Sequence, residues 1–283
     1  MSKTDLAHVV GPALASPKDA ARFRLLPHFG GIEVMDAAFI HHSFTPHTHD
    51  ELMIGVLRSG RKRFKCGRGT FIAAPGALSV VNPGEVHTGT RQDGQQLLYT
   101  AIYVPPGVLE RAGAPTSADV GRAVAEDHAV WNGLSAAVDA GIDRLAGEEA
   151  LLTALEALTC RYGGGARGKA ASRSCRPAVR RVQDYMQAHI EGRLHLDQLA
   201  EIAGIGQRHL IRSFRADSGL TPHAYVTQVR IQRAKALLRR GISAAHVALA
   251  TGFADQAHFT KAFKRLTGSS PARYAAGVTS SGL

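Results

Sequence analysis

The chain has 283 residues, 45% of them hydrophobic, and this is enough for two domains with packed cores. Its net charge is +11, and its three cysteines have no motif spacing, which indicates reduced thiols rather than a disulfide framework. The N-terminus lacks the apolar core of a signal peptide, and no apolar run reaches the length of a membrane span. We therefore expect a soluble, cytoplasmic protein with no membrane partner.

The charge is unevenly distributed along the chain. Residues 1–160 contain 14 Lys/Arg against 17 Asp/Glu, and residues 161–176 contain five basic residues and no acidic one. Residues 177–276 contain 15 Lys/Arg against 6 Asp/Glu. A mildly acidic N-terminal part followed by a basic C-terminal part is typical of a sensor domain joined to a DNA-binding domain, because DNA phosphates attract cationic surfaces.

The first 106 residues predict a short arm followed by a β domain. Residues 1–20 contain three Gly or Pro residues and no periodicity, and we interpret them as a flexible arm. Residues 21–106 alternate short apolar runs with turns rich in Pro and Gly. The predicted strands are Ile32–Ile40, Leu52–Leu57, Arg63–Cys66, Leu78–Val81 and Leu97–Val104. Short strands at this spacing indicate a small barrel or sandwich.

Three histidines and a glutamate stand out in this β domain. His47, His49 and Glu51 share strand parity, so their side chains can point into one cavity. His87 follows the turn Asn82-Pro83-Gly84 and can approach from across the barrel. Three interpretations stay open: a polar cluster that hydrogen-bonds a small effector, which we favour, a divalent metal site, or histidines that brace strand ends.

Residues 107–162 change to a helical pattern. The amphipathic candidates are Ala118–Leu134, Ser135–Leu145 and Glu148–Tyr162. The last of them has a clear apolar stripe, made by Leu151, Leu152, Leu155, Leu158 and Tyr162. This stripe either packs on its own barrel or forms a contact between two subunits, and we favour dimerisation.

A linker and two further helices follow. Residues 163–176 are rich in Gly, Ser and Arg, which is typical of a flexible linker. Pro177 suits the first turn of a helix with Val179, Val182, Met186 and Ile190 inward. Residues 222–240 predict one long helix that ends at Gly241.

One stretch on each side of that long helix has the same pattern. Residues 196–214 and 244–263 each indicate a helix, a turn containing Gly and a second helix. In the first copy Leu210 and Phe214 anchor the second helix to the core, which leaves Arg208, Arg212 and Arg215 facing outward.

In the second copy the pattern predicts Asp255 as the N-cap of the second helix, with Phe259 and Phe263 facing inward. His258, Lys261 and Arg265 then face outward. Either basic face alone is compatible with an ordinary solvated surface. Two such helices, each with an apolar anchor and a cationic outer face, favour DNA binding in the major groove.

The last hundred or so residues resemble the DNA-binding domain of AraC/XylS-type transcription regulators. The resemblance is carried by Ala200, Gly204, Leu210, Phe214, Gly219, Pro222, Tyr225, Gly252-Phe253-Ala254-Asp255, Phe263, Gly268, Pro271 and Tyr274, in order and at the expected spacing. It implies two helix-turn-helix units joined by a long helix, with recognition helices in successive major grooves of double-stranded promoter DNA.

By position in the family motif, one set of residues faces the bases and another lies nearer the phosphates. The base-facing residues are Arg208, Ile211 and Arg212 of the first unit and Gln256, Ala257, His258 and Lys261 of the second. The residues near phosphates are Arg215, Lys264 and Arg265, and Gln207 completes the predicted DNA-binding set. Arg pairs well with guanine and Gln with adenine, whereas Ile211 and Ala257 offer only apolar contact.

Residues 39–104 resemble the cupin-like sensor domain of the same regulators. The residues are Thr45-Pro46-His47-Thr48-His49-Asp50-Glu51, Ala74-Pro75-Gly76 and Asn82-Pro83-Gly84-Glu85-Val86-His87. In the metal-binding cupin pattern a Glu follows the His-x-His by three or four residues, and here those positions hold Met53 and Ile54. We therefore assign His47, His49, Glu51 and His87, with Tyr99 and Tyr103 from a neighbouring strand, to an effector pocket. Metal binding by His47, His49 and His87 is the less favoured alternative.

The predicted fold class is multidomain α+β. A cupin-like β-barrel (21–106) is followed by a helical dimerisation segment (107–162) and a linker (163–176), then by an all-α domain (177–276) with two helix-turn-helix motifs joined by a long helix. The predicted function is that of an effector-responsive, sequence-specific transcription regulator, with no catalytic residues and no cofactor. Its partners are promoter DNA, a small molecule, a second copy of the chain and, for an activator, RNA polymerase. The rivals are a metal-dependent cupin enzyme tethered to DNA and an effector-independent DNA-binding protein.

Overall fold

The computed structural model describes residues 19–27, 30–111, 119–140, 145–163, 177–192 and 194–279. The predicted arm, apart from its last two residues, and residues 164–176 of the predicted linker lie outside these ranges. The described residues divide between two compact units. One takes in those up to residue 167 and from 276 onward, and the other takes in those from 168 to 275.

The first unit contains two antiparallel sheets. Their strands are β1 (Ala20–Leu26), β2 (Ile32–Phe39), β3 (Phe44–His47), β4 (Leu52–Ser59), β5 (Lys62–Cys66), β6 (Gly69–Ala73), β7 (Leu78–Val81), β8 (His87–Arg91), β9 (Leu97–Val104) and β10 (Val124–Ala125). The larger sheet has the order β1-β2-β9-β4-β7-β10, and the smaller has the order β3-β8-β5-β6. The prediction of a β domain is confirmed.

The two faces of the larger sheet have different partners. Ile54 of β4, Val80 of β7 and Ile102 of β9 belong to a core shared with helices, whereas Met53 of β4 and Tyr99 of β9 line a cavity shared with the smaller sheet. Successive residues of a strand point to opposite faces, so a continuous apolar run such as Leu52–Leu57 serves both partners.

Helices cover the outer face of the larger sheet. They are α1 (Pro106–Arg111), α2 (His128–Ala140) and α3 (Leu145–Tyr162). Leu151, Leu155 and Leu158 of α3 are fully buried in the core that this helix shares with α2 and the sheet. Most of the apolar stripe therefore packs within its own unit, which is the alternative that we favoured less. Leu152 is half-buried, and Glu149, Thr153, Glu156 and Cys160 are exposed on the outward side.

The predicted helix over residues 118–134 is wrong for residues 119–127 and confirmed for residues 128–134. Residues 124–125 form β10 on the edge of β7, and α2 begins only at His128. The amide group of Asn82 bonds the backbone N–H and C=O of Val120, at 2.8 and 3.1 Å, and these bonds compete with a helical turn there. The carboxylate of Asp127 then accepts from the N–H groups of Ala129 and Val130 and caps α2.

Other boundaries also differ from the predictions. The predicted break between Leu134 and Ser135 is absent, because α2 continues through both residues to Ala140. Five of the described strands were missed, namely β1, β3, β6, β8 and β10. Strand β3 contains Pro46, and β3 is an edge strand, the position in a sheet where proline is tolerated.

The second unit is helical. Its helices are α4 (Pro177–Ala188), α5 (Leu196–Ala203), α6 (Gln207–Ser218), α7 (Pro222–Arg239), α8 (Ala244–Ala250) and α9 (Gln256–Thr267), and α10 (Pro271–Thr279) begins within it. The long central helix and both helix-turn-helix units are confirmed. In the described part of the chain, no helix is long and apolar enough to cross a membrane.

Candidate effector site and DNA interface

Three of the predicted effector residues form a histidine cluster in the β domain. His47 ends β3 and pairs directly with His87, the first residue of β8. Their ring centroids are 4.1 Å apart, and the His49 ring lies 4.8 Å from His87 and 6.3 Å from His47. His49 and His87 are buried, and His47 is half-buried.

The reason we gave for this cluster was wrong for two of its members. β3 ends at His47, so His49 and Glu51 lie in the loop before β4 and share no strand parity with it. The loop itself turns His49 inward, and its Nδ1 bonds the backbone carbonyl of Glu51 at 2.8 Å. Glu51 is half-buried, and its side chain is not among those that line the cavity.

All three rings have the same hydrogen-bond arrangement. Nδ1 of His47 bonds the carbonyl of Thr45 at 2.8 Å, and Nδ1 of His87 bonds the carbonyl of Glu85 at 3.1 Å, as His49 bonds Glu51. A carbonyl can only accept, so Nδ1 must donate its proton in each case. In the neutral ring Nε2 is then a hydrogen-bond acceptor.

The electrostatic environment keeps the rings of His47 and His87 neutral. Burial, with the charge of His49 adding to it, lowers the pKa of His47 to about 3. Burial also lowers the pKa of His87 well below its usual value, and the neighbouring His47 and His49 add to the effect. A site of neutral imidazoles can accept hydrogen bonds from a ligand at physiological pH.

The two predicted tyrosines lie beside the histidines. Tyr99 and Tyr103 of β9 both line the cavity, and the Tyr103 ring meets His49 edge-on at 5.4 Å. Burial raises the pKa of both phenols, so they stay protonated. The structure thus brings together His47, His49, His87, Tyr99 and Tyr103, and leaves Glu51 at the margin.

Lys62 is a site residue that the sequence analysis missed. It is the first residue of β5, only 4% exposed, and its Nζ lies 3.3 Å from Oγ of Ser79. The Nζ also lies 4.8 Å from the centroid of the Tyr99 ring. The alternation along the strand could have identified it, because Lys62, Phe64 and Cys66 alternate with exposed residues and share the inward face.

His47, His87, Lys62, Tyr99 and Tyr103 line a small cavity between the two sheets. Its volume is about 20 Å³, which is room for about one water molecule. It is lined by Phe44, His47, Met53, Lys62, His87, Thr88, Gly89, Tyr99, Ala101 and Tyr103. Across the described ranges, no group of three or more His, Cys, Asp or Glu side chains is arranged to hold a metal ion.

The first helix-turn-helix unit consists of α5 and α6. Gly204 ends α5 in the left-handed region, at φ 68°, and allows the chain to turn into α6. Leu210 and Phe214 are fully buried and hold α6 against α4 and α5. The outward side of α6 carries Gln207, Arg208, Arg212 and Arg215, all exposed, and Ile211, which is half-buried.

The second unit, α8 and α9, repeats this arrangement. The predicted N-cap is confirmed, since the carboxylate of Asp255 accepts from the N–H of His258 at 2.7 Å. Phe259 and Phe263 are fully buried, as predicted. The remaining predicted DNA-binding residues, Gln256, Ala257, His258, Lys261, Lys264 and Arg265, are all exposed. Helix α9 contains no acidic residue, so its outward face is cationic.

Comparison with known proteins agrees with both units. The family model of the AraC-like ligand binding domain matches residues 29–155, and a helix-turn-helix domain model matches residues 199–277. The uncharacterized HTH-type transcriptional regulator YbfI of Bacillus subtilis is 30% identical over 243 residues, which are 83% of this chain and 88% of YbfI. MtrA of Neisseria gonorrhoeae, another HTH-type transcriptional regulator, is 38% identical over 85 residues, 30% of this chain and 28% of MtrA.

The fold as a whole is similar to that of ToxT from Vibrio cholerae. One ToxT structure aligns with a TM-score of 0.56 at 12% identity and covers 89% of this chain and 99% of ToxT. Another, with an unsaturated fatty acid bound, aligns with a TM-score of 0.55 at 10% identity, and covers 94% of this chain and 99% of ToxT. The chain belongs to the AraC family of transcriptional regulators, with an N-terminal ligand-binding domain and a C-terminal helix-turn-helix DNA-binding domain.

Proposed function

We propose that the outward faces of α6 and α9 read promoter DNA. The observation that carries this proposal is the shared geometry of the two helices: each buries two apolar anchors four residues apart and exposes a cationic face. Arg208, Ile211 and Arg212 face the bases in the first groove. The bases in the second groove are contacted by Gln256, Ala257, His258 and Lys261. The phosphates are approached by Arg215, Lys264 and Arg265, and Gln207 is the first residue of the DNA-facing side of α6.

The test uses the full-length protein and DNA selected from a random pool by repeated binding. Arg208→Ala should lower affinity for the selected sequence by at least tenfold, because a lost pairing to a base edge costs about 1–3 kcal/mol. Arg180→Ala, which removes an exposed arginine from α4 in the same unit, is the matched control and should change affinity little. Equal losses in the two variants would show that α6 does not read the DNA.

We further propose that the histidine cluster, with Tyr99, Tyr103 and the margin residue Glu51, binds a small-molecule effector that controls DNA binding. Neutral imidazoles and protonated phenols, buried and close together, offer a ligand several directed hydrogen bonds. ToxT, which has the same fold, is known with an unsaturated fatty acid bound, so a protein of this fold can hold a small molecule. A thermal-shift screen of metabolites against the full-length protein finds such ligands, because a ligand of the folded state raises the melting temperature.

A homodimer in the cytoplasm is part of the same proposal. The buried leucines of α3 are used within their own unit, so a contact between subunits has to use the outward side of this helix, around the half-buried Leu152. Sedimentation of the wild type should give a dimer and that of Leu152→Glu a monomer. A dimer that survives this substitution places the contact elsewhere.

We also propose that the protein acts by binding and not by catalysis, as YbfI and MtrA are both named transcriptional regulators. An activator would contact RNA polymerase as well. Transcription in vitro from a promoter that contains the selected site distinguishes activation from repression. The reaction contains this protein and purified RNA polymerase and no other protein.

A further inference from the structure

Lys62 is a buried cation that no carboxylate of the described residues accompanies. In the part of the chain that the structure describes, its side chain contacts the Ser79 hydroxyl and the rings of Phe64 and Tyr99, and no carboxylate pairs with it. Taking an ammonium group out of water is costly unless an opposite charge compensates for it. The cavity beside it therefore has an uncompensated positive charge on its wall.

The other polar groups on the cavity wall do not provide the missing charge. His47 and His87 are neutral, and their Nδ1 protons are donated to backbone carbonyls. Each of these rings is left with Nε2 as an acceptor. The wall of the cavity thus combines a cation at Lys62 with neutral acceptors at two histidines.

We propose that the effector is a small carboxylate that also carries a hydrogen-bond donor, as a hydroxy acid does. Its carboxylate pairs with Nζ of Lys62. Its donor group bonds Nε2 of His47 or His87. The inference rests on the proposed effector role of the β domain and adds the chemical class of the ligand.

The charge state of Lys62 agrees with this assignment. Burial lowers its pKa to about 8, so the side chain is still mostly protonated at neutral pH. A carboxylate at Nζ favours the charged form and offsets the cost of burying it. The cavity, at about 20 Å³, has room for about one water molecule, so the side chains of its wall must move apart to admit a hydroxy acid, and the smallest one is the appropriate probe.

The experiment compares glycolate with glycolamide, its uncharged analogue, on the full-length protein. Glycolate should raise the melting temperature of the wild type in a saturable way, and glycolamide should not. Lys62→Met keeps the length of the side chain and removes its charge. It should bind glycolate about 10- to 100-fold more weakly, because a hydrogen bond to a charged group contributes about that factor. Lys62→Arg should retain binding better than Lys62→Met.

Three outcomes overturn the inference: no shift with glycolate, equal shifts with glycolate and glycolamide, or equal affinity of the wild type and Lys62→Met for glycolate. The comparison of the two probes on the wild type does not depend on whether Lys62→Met folds. A neutral metabolite that stabilises the wild type but not His87→Ala would leave the effector pocket standing and reject only the anionic class. If no ligand depends on His87 either, the proposed pocket itself is wrong.

Discussion

Arg230 of α7 donates from Nε to the carbonyl oxygen of Ile190 at 3.0 Å, and a second nitrogen of its guanidinium donates to the carbonyl of Gly192 at 2.8 Å. The same guanidinium lies 5.8 Å from the centroid of the Phe253 ring, in the turn of the second helix-turn-helix unit. One side chain of the central helix therefore connects the segment before the first unit to the turn of the second.

The turn beside Arg230 has no room for a side chain. Gly252 has φ +75°, in the left-handed region, and a Cβ atom there would come within 2.6 Å of the carbonyl oxygen of Ile190 and 2.7 Å of the Arg230 guanidinium. The glycine that the two copies share at the turn is thus needed in the second copy for both backbone conformation and close packing.

We expect Arg230→Met to destabilise the α domain by about 1–3 kcal/mol, because it leaves two backbone carbonyls without a partly buried donor. The measurement is urea unfolding followed by far-UV circular dichroism. The matched control is Arg233→Met, one turn along the same helix. Its guanidinium pairs with exposed Glu191 at 3.2 Å, and such a surface pair contributes about 0–1 kcal/mol. Equal destabilisation by the two substitutions would contradict the role of Arg230.

Loss of a base contact and loss of a phosphate contact should have different effects on DNA binding. Arg212→Ala should cost about 1–3 kcal/mol on the selected DNA and relax the preference at one base position. Lys264→Ala should weaken binding to all sequences alike and reduce the slope of log affinity against log salt by about one. Titrations of selected and random DNA at several salt concentrations check both. If Arg212→Ala weakened selected and random DNA equally, Arg212 would not face the bases.

Removal of a cluster histidine should separate ligand response from DNA binding. His49→Ala and His87→Ala should abolish the effect of the effector on DNA occupancy and leave DNA affinity without effector unchanged, because both residues lie in the β domain. His41→Ala is the control, since His41 is exposed. Full response in both cluster variants would refute the pocket assignment.

Acid should destabilise the β domain through the same histidines. The folded chain keeps His47 neutral down to a pH of about 3, whereas an unfolded chain protonates it near its usual pKa of 6.5. The unfolded state therefore binds more protons below pH 6.5, and stability falls as the pH drops from there towards 3. His47→Gln should lose less stability than the wild type between pH 7 and 5 in urea unfolding. His41→Gln should behave as the wild type does, and an unchanged pH slope in His47→Gln would contradict the pKa assignment.

The α domain was predictable because its information is local. The apolar positions Leu210 and Phe214, four residues apart, specify which side of α6 is buried, and the Asp255 cap specifies where α9 begins. Because the same pattern occurs twice, each copy supports the assignment of the other. The two helix-turn-helix units and the long helix Pro222–Arg239 could therefore be predicted without knowledge of any tertiary contact. Strand Leu78–Val81 could be predicted for the same reason, since a short apolar run between turns is also a local pattern.

The site in the β domain was decided by contacts between residues far apart in sequence. The Asn82 side chain holds Val120 in an extended conformation, so a segment with helical spacing carries a strand instead. The spacing of His47, His49 and Glu51 suggested a strand, but a loop brings His49 to His87. Lys62 is a buried cation only because the fold places its Nζ next to the Tyr99 ring and the Ser79 hydroxyl. Sequence spacing specifies which face of an element is apolar, whereas the cost of a buried charge depends on every group that the fold places around it.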